Sequence, residues 1–204
     1  MKKVSFFIDG FNLYHSLKDF TPDCKWLDLR KLCQHYIKDG EEIEDIYYFT
    51  ALATWNQSKV SKHKDYIKML ECKKIKIIYG KFKKVSRHCN FCNNEYNTHE
   101  EKRTDVNIAL KLFSDAIKDK YDTAILISAD SDLIPPIQEV RDLFIDKRVG
   151  VVIPLGRQAK ELKQTADFSQ KIERQHLYSS LLDEIAEVRG AKITAPNKWL
   201  PIKR

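Results

Sequence analysis

Short apolar runs recur along this chain, each closed by acids, glycine or proline. Val4-Ser-Phe-Phe-Ile8, Ile46-Tyr-Tyr-Phe49, and the stretches 75–79, 123–128 and 148–154 show no helical periodicity. Runs of that length, rich in β-branched and aromatic residues, read as strands buried on both faces of a parallel sheet. Residues 167–172 form a shorter candidate for a sixth strand. Between the runs the apolar spacing changes to three and four. It predicts helices over 11–19, 27–37, 60–72, 103–118, 133–144 and 158–165. Pro135 and Pro136 fit only the first turn of their helix, where a missing N–H costs little. Thr104 is placed as the N-cap of the fourth helix. Strands alternating with helices imply an α/β fold: a parallel sheet of five or six strands with helices on both faces.

Two stretches escape the pattern. Residues 81–102 read as an irregular, cysteine-containing insertion. From about 176 to 204 a tail carries one helical stretch, 181–188, followed by Gly190, Pro196 and Pro201. The expected division is a domain over 1–175 containing the insertion, then the tail.

Acids sit where the strands end. The run 123–128 passes straight into Ala129-Asp130-Ser131-Asp132, and the first strand ends in Asp9-Gly10-Phe11-Asn12. Ligands of open α/β sheets bind beyond the carboxyl ends of the strands. Asp105 joins Ala109, Leu112 and Ala116 at i, i+4, i+7 and i+11, which continues a stripe that should face the sheet. A carboxylate there is costly unless something pairs with it. One account serves all of them: Asp9, Asp105, Asp130 and Asp132 converge on Mg²⁺ or Mn²⁺, hard cations that prefer oxygen ligands, with Asn12 alongside. The plainer account has Asp130 closing a turn and Asp132 capping the next helix. Ser128, His15 and His35 are read as packing or helix-face residues.

Charge changes the picture. The 204 residues carry a formal net charge of +7. Eleven Lys/Arg lie between positions 59 and 87 against only Asp65 and Glu71. A basic region beside an acidic metal site suits a polyanion, with lysines on phosphates. Lys73, Lys74, Lys76, Lys83 and Lys84 are the expected nucleic-acid contacts; Trp26, Trp55 and Trp199 have faces that suit stacking on bases, but buried or half-buried packing is the plainer reading of each. No run is long enough to span a membrane, and the first strand is too short for a signal-peptide core. The expected compartment is therefore the cytoplasm. Five cysteines in such a chain argue against disulfides. Cys89-Asn-Phe-Cys92 has the spacing of a zinc knuckle, with His99 and either Cys72 or His88 to complete four ligands.

Phe7-Ile-Asp-Gly-Phe-Asn-Leu13, Lys102-Arg-Thr-Asp-Val-Asn-Ile108 and Leu126-Ile-Ser-Ala-Asp-Ser-Asp-Leu133 form an ordered set. The set resembles the NYN domain of the PIN-like nuclease superfamily, in particular its LabA-like branch, over roughly residues 1–175. The resemblance implies a Rossmann-like PIN fold and a Mg²⁺- or Mn²⁺-dependent ribonuclease acting on RNA, single-stranded by expectation. On that pattern Asp9, Asp105, Asp130 and Asp132 are metal-binding acids beside Asn12. Some LabA-like members also carry a cysteine pair ahead of the third acid.

Rival chemistries find less support. A HAD-like phosphatase wants a second Asp two positions after Asp9, where Phe11 stands; a Toprim domain wants Glu in place of Asp9. No Ser-His-Asp or Cys-His pairing, Walker loop or dinucleotide fingerprint is present. A non-catalytic RNA-binding module remains the alternative of another class. The pattern leaves the oligomeric state open, a homodimer included.

Overall fold

A computed structural model describes residues 1–188 and 190–201; residues 189 and 202–204 of the expected tail lie outside the described residues. The chain runs β1 (Lys2–Asp9), α1 (Gly10–Phe20), α2 (Leu29–Gln34), β2 (Glu41–Thr50), α3 (Gln57–Cys72) and β3 (Lys76–Tyr79). A hairpin follows, β4 (Lys81–His88) and β5 (Glu95–Lys102), then α4 (Thr104–Ile117) and β6 (Thr123–Ile127). One 3-10 turn, Ser131–Leu133, leads into α5 (Ile134–Leu143) and β7 (Arg148–Ile153). The chain ends in α6 (Lys160–Thr165), β8 (Phe168–Lys171), α7 (Arg174–Ser179), β9 (Ile185–Val188) and β10 (Ala191–Thr194).

Six strands form one sheet in the order β3-β2-β1-β6-β7-β8. Every pairing in it is parallel. Strand alternation sends Val4, Phe6 and Ile8 to one face and Phe7 to the other. The first face carries Leu13 and Leu17 of α1, Leu29 and Leu32 of α2, and Tyr66 and Leu70 of α3. The opposite face carries Ile108 and Leu112 of α4, Ile137 and Val140 of α5, and Leu162 of α6. Helices therefore cover both faces. The chain builds outward from β1 to β3, returns, and builds outward again from β6. The direction of winding reverses between β1 and β6, which opens a crevice at their carboxyl ends.

Three expectations change. Residues 81–102 are a regular antiparallel hairpin, paired from Lys81↔Lys102 to His88↔Glu95. Its strands are largely exposed on both sides, so no apolar alternation marks them in the sequence. The stretch 181–188 is not a helix; it leads into the β9–β10 hairpin. That tail packs on the first face: Leu177, Leu182, Val188 and Ile193 join the cluster around buried Trp26, and Leu27 bridges to Leu181. Lastly, Thr104 does not cap α4. The N-cap is Arg103, held at φ 80°, and the Thr104 hydroxyl turns back to Glu101.

Because α7 fills the core beside Trp26, Leu177→Ala should leave a cavity and lower stability by about 2–5 kcal/mol. Urea unfolding followed by far-UV circular dichroism measures this. A detached appendage would instead leave the midpoint where it was.

Candidate active site

The crevice between β1 and β6 is where the acids meet. β1 ends at Asp9, and Asp130 follows β6 by three residues. The two strands pair directly, Ile8 against Ile127. α4 brings Asp105 across from its first turn. One carboxylate oxygen from each of Asp9, Asp105 and Asp130 lies within 4.8 Å of the other two.

Asp9 is buried and held by three donors. Its Oδ1 accepts from the N–H groups of Phe11 at 3.1 Å and Asn12 at 3.0 Å, which makes it the N-cap of α1. Its Oδ2 accepts from the Ser128 hydroxyl at 2.9 Å. Ser128 in turn accepts from the Asp130 N–H at 3.1 Å, and Asp130 Oδ1 accepts from the Asp132 N–H at 3.0 Å. Asn12 ties α1 to the same turn, its Oδ1 accepting from Ala129 N–H at 3.2 Å. Gly10 permits the approach: a Cβ there would sit 2.5 Å from the Phe49 carbonyl and 2.7 Å from the Tyr48 ring.

These carboxylates crowd one another. Burial pushes the Asp9 carboxyl up to about 6 against the hydrogen bonds from Asn12 and Ser128, with the charges of Asp105 and Asp130 adding to the rise. Asp105 is also raised, by desolvation first and then by Asp130 and Asp132. A fourth acid belongs to the cluster and escapes sequence reading. Glu101 at the base of β5 is pushed up to about 7 by burial, with Asp9 and Asp105 contributing. It lies in a stretch read as irregular, so nothing in the local pattern pointed to it.

Each expected residue has a definite place. Asp105 is exposed and flanks the buried stripe of α4, which is Thr104, Ile108, Leu112 and Ala116 rather than one containing Asp105. Asp132 is exposed inside the 3-10 turn, near enough to raise Asp105 but outside the three-oxygen group; the cap of that turn is Asp130. Ser128 is the polar residue the sequence undervalued, since it links both strand-end acids.

The zinc set is not assembled among the described residues. The backbone N–H groups of Cys92 and Phe91 point at the Cys89 sulfur and lower its pKa, as in a knuckle. But His99 stands four residue pairs down the hairpin, roughly 13 Å away at strand spacing, with its ring stacked 3.6 Å from Trp55. No group of three candidate ligands includes Cys72, His88, Cys89, Cys92 or His99. The lysine set divides too. Lys73 pairs with Asp28 at 3.3 Å and Lys76 with Asp45 at 2.6 Å. With Lys74 they lie at the end of the sheet where β3 begins, opposite the acids. Only Lys83 and Lys84 lie on the hairpin.

Beside the acids lies a cavity of about 410 Å³ between α1, α3 and the hairpin. Gly10, next to Asp9, and Tyr48 line its inner end; Phe11, Tyr14, Trp55 and Phe82 line its walls. Lys18, Lys25, Lys59 and Lys62 also border it. Of the three tryptophans, two pack as the plainer reading has it: Trp26 is buried with its Nε1 donating to the Asp183 carbonyl, and Trp199 packs against Trp26. Trp55 is 46% exposed.

A family model described as the NYN domain matches residues 3–173. The chain belongs to the NYN domain family, within the PIN-like nuclease superfamily. This NYN chain is 26% identical over 217 aligned positions to the 6-hydroxy-3-succinoylpyridine 3-monooxygenase HspA of Pseudomonas putida, covering 88% of this chain and 68% of the relative. Its fold matches a crystal structure of a protein of unknown function from Vibrio parahaemolyticus at a TM-score of 0.60 and 17% identity. That match covers 85% of this chain and 94% of the other. No helix among the described residues is long and apolar enough to cross a membrane.

The raised Asp9 carboxyl makes a sign-definite prediction. Its folded pKa of about 6 exceeds the unfolded 3.8, so between those values the folded state holds a proton that the unfolded state has released. Without divalent cations, stability should therefore fall as pH rises from about 4 to about 6. In Asp9→Asn this step should shrink to the part that raised Asp105 and Glu101 contribute. Thermal unfolding in EDTA across that range, parent against variant, tests it, and added Mg²⁺ should restore the parent's stability above pH 6.

Proposed function

We propose that this protein is a metal-dependent ribonuclease in which Asp9, Asp105 and Asp130 hold Mg²⁺ or Mn²⁺. One observation carries the reading: three carboxylates converge, two of them with raised pKa values, in the crevice of a nuclease-family fold. The donor set fits such an ion. Oxygens bound to one cation at about 2.1–2.5 Å stand within roughly 5 Å of each other, as these do, and an all-carboxylate set selects hard cations. A cation bound there supplies charge stabilisation at a phosphate oxygen and acidifies a water.

The chain's own residues do the rest. Ser128 and the first N–H groups of α1 fix the Asp9 carboxylate in one orientation. Asn12 and Ser128 hold the turn that presents Asp130. Asp132 adds negative charge at the rim. Glu101, raised by burial and by the neighbouring acids and held by the Thr104 hydroxyl, stands beside the cluster at the base of the hairpin. Single-stranded RNA is the proposed substrate. Placement in the LabA-like branch rests on the three sequence motifs alone, and the domain is proposed to end near residue 175.

A second reading has its own observation. The aromatic, lysine-bordered cavity beside the acids would also admit a small aromatic acid, the class to which the named substrate of the Pseudomonas relative belongs. Cleavage of labelled single-stranded RNA with Mn²⁺, with Mg²⁺ and with EDTA decides between them. RNA cut only with metal supports the nuclease; intact RNA under all three conditions favours the second reading.

Asp130→Asn should slow cleavage roughly 100-fold or more, about 3 kcal/mol of transition-state stabilisation. The same variant should unfold at or above the parent's temperature in EDTA, since one of the crowded charges is gone. A variant that cuts RNA at the parent's rate would end the nuclease reading.

A further inference from the structure

The cavity between α1, α3 and the hairpin has features that phosphate chemistry at the acids does not require. It is concave, of about 410 Å³, and within the range of ligand sites. Its walls are aromatic. Phe82 stands edge-on to Trp55, with centroids 4.7 Å apart, and edge-on to Phe11 at 5.2 Å. The Trp55 ring is backed by the parallel His99 ring. Trp55 thus stays fixed while nearly half exposed, an arrangement that suits a flat partner.

Its charge is one-sided. None of the four bordering lysines has an ion-pair partner among the described residues, whereas Lys73 and Lys76 elsewhere are paired. Lys25 is lowered by burial and then by the Lys18 charge, so two ammonium groups lie near each other. A more open depression of about 710 Å³ between α5 and α6 offers no such combination. It has no aromatic lining, and its Arg141 is already bound by Asp167.

Position completes the argument. The cavity begins at Gly10, one residue from Asp9, and Tyr48 at its inner end feels the Asp9 charge. The acids themselves do not line the cavity, so an occupant meets them across Gly10 and Phe11 at the start of α1. A base with a phosphate on either side has the required shape: a flat ring for Trp55 and Phe82, and anions for the lysines on one side and the acid-held cation on the other.

We propose that this cavity seats one base of single-stranded RNA, the base next to the phosphodiester that the acids address, with Lys59 and Lys62 holding the phosphate beyond it. The proposal rests on the nuclease reading for the position of that phosphodiester, and its test is run without catalysis. Lys59 and Lys62 lie in the first turns of α3, one helical turn apart, and so present together.

The test is fluorescence anisotropy of a labelled uridine pentanucleotide and of the same strand with its central base removed, both in EDTA. The intact strand should bind roughly 5–100-fold more tightly, the range for one stacked base. Trp55→Ala and Phe82→Ala should each erase most of that difference by weakening the intact strand alone, and Trp55→Phe should retain it. Lys59→Gln with Lys62→Gln should weaken both strands and flatten the slope of log K against log salt by about 0.7 for each phosphate no longer neutralised.

Equal binding of the two strands overturns the proposal. So does equal weakening of both by Trp55→Ala, the mark of a merely structural role. Displacement of the strand by pyridine-3-carboxylate at lower concentration than by uridine monophosphate also overturns it, and assigns the cavity to free aromatic acids. The base penalty without cleavage in Mn²⁺ keeps the base site and drops the nuclease; cleavage without the penalty does the reverse.

Discussion

The fold is arranged around one buried carboxylate that needs donors to hold it. Asp9 sits at the end of a central strand where water cannot solvate it, and burial is the largest influence on its pKa. Two backbone N–H groups and one hydroxyl oppose that influence without cancelling it. Much of the nearby sequence follows from this need. Gly10 lets α1 begin directly on the strand end, so that its first N–H groups and its positive dipole end face the carboxylate. Ser128 occupies the position on β6's extension that reaches Asp9's second oxygen. Two further acids are held close to it, and their charges add to the rise.

Sheet topology explains why those acids can meet. Asp9 and Asp130 are more than a hundred residues apart, yet they end adjacent strands because β6 returns to the open edge of β1. The hairpin then shapes the opening. It leaves the sheet after β3 at Gly80, where a Cβ would lie 2.6 Å from the Thr104 hydroxyl. That tight junction pins the hairpin's base against the start of α4. Glu101 and Phe82, directly paired across the hairpin, serve different neighbours: Glu101 joins the acids and Phe82 walls the cavity.

The parallel sheet was legible because its strands are buried on both faces and so appear as unbroken apolar runs. The strand-end acids were legible for a related reason: a charge directly after such a run marks the carboxyl end of a strand, even where, as with Asp9 and Asp130, it also caps the next element. The hairpin was hidden because its strands have no buried face, and the tail because its four-residue strands, Ile185–Val188 and Ala191–Thr194, carry one strongly buried residue each. Asp105 reaches the acids by a different route from the one its spacing predicts. Helical spacing placed it on the buried stripe, whereas it lies one position beside Thr104 and reaches the acids from the flank.

The basic stretch 59–87 does not form one surface. The excess of positive charge over 59–87 is real, but it spans α3, β3 and β4, which present their side chains in different directions. A parallel strand carries its first residue to one edge of the sheet and its last to the other. Lys76 at the start of β3 therefore belongs to the edge opposite the acids, while Tyr79 at its end lies near them. A helix running back to start that strand has its N-terminus on the acid side, so the lysines of α3 that matter are the first ones. By the same geometry Lys73 and Lys74, at the end of α3, are carried away from the site with Lys76. Linear density measures how much phosphate a segment can attract; the direction of its elements decides whether that phosphate arrives at the acids.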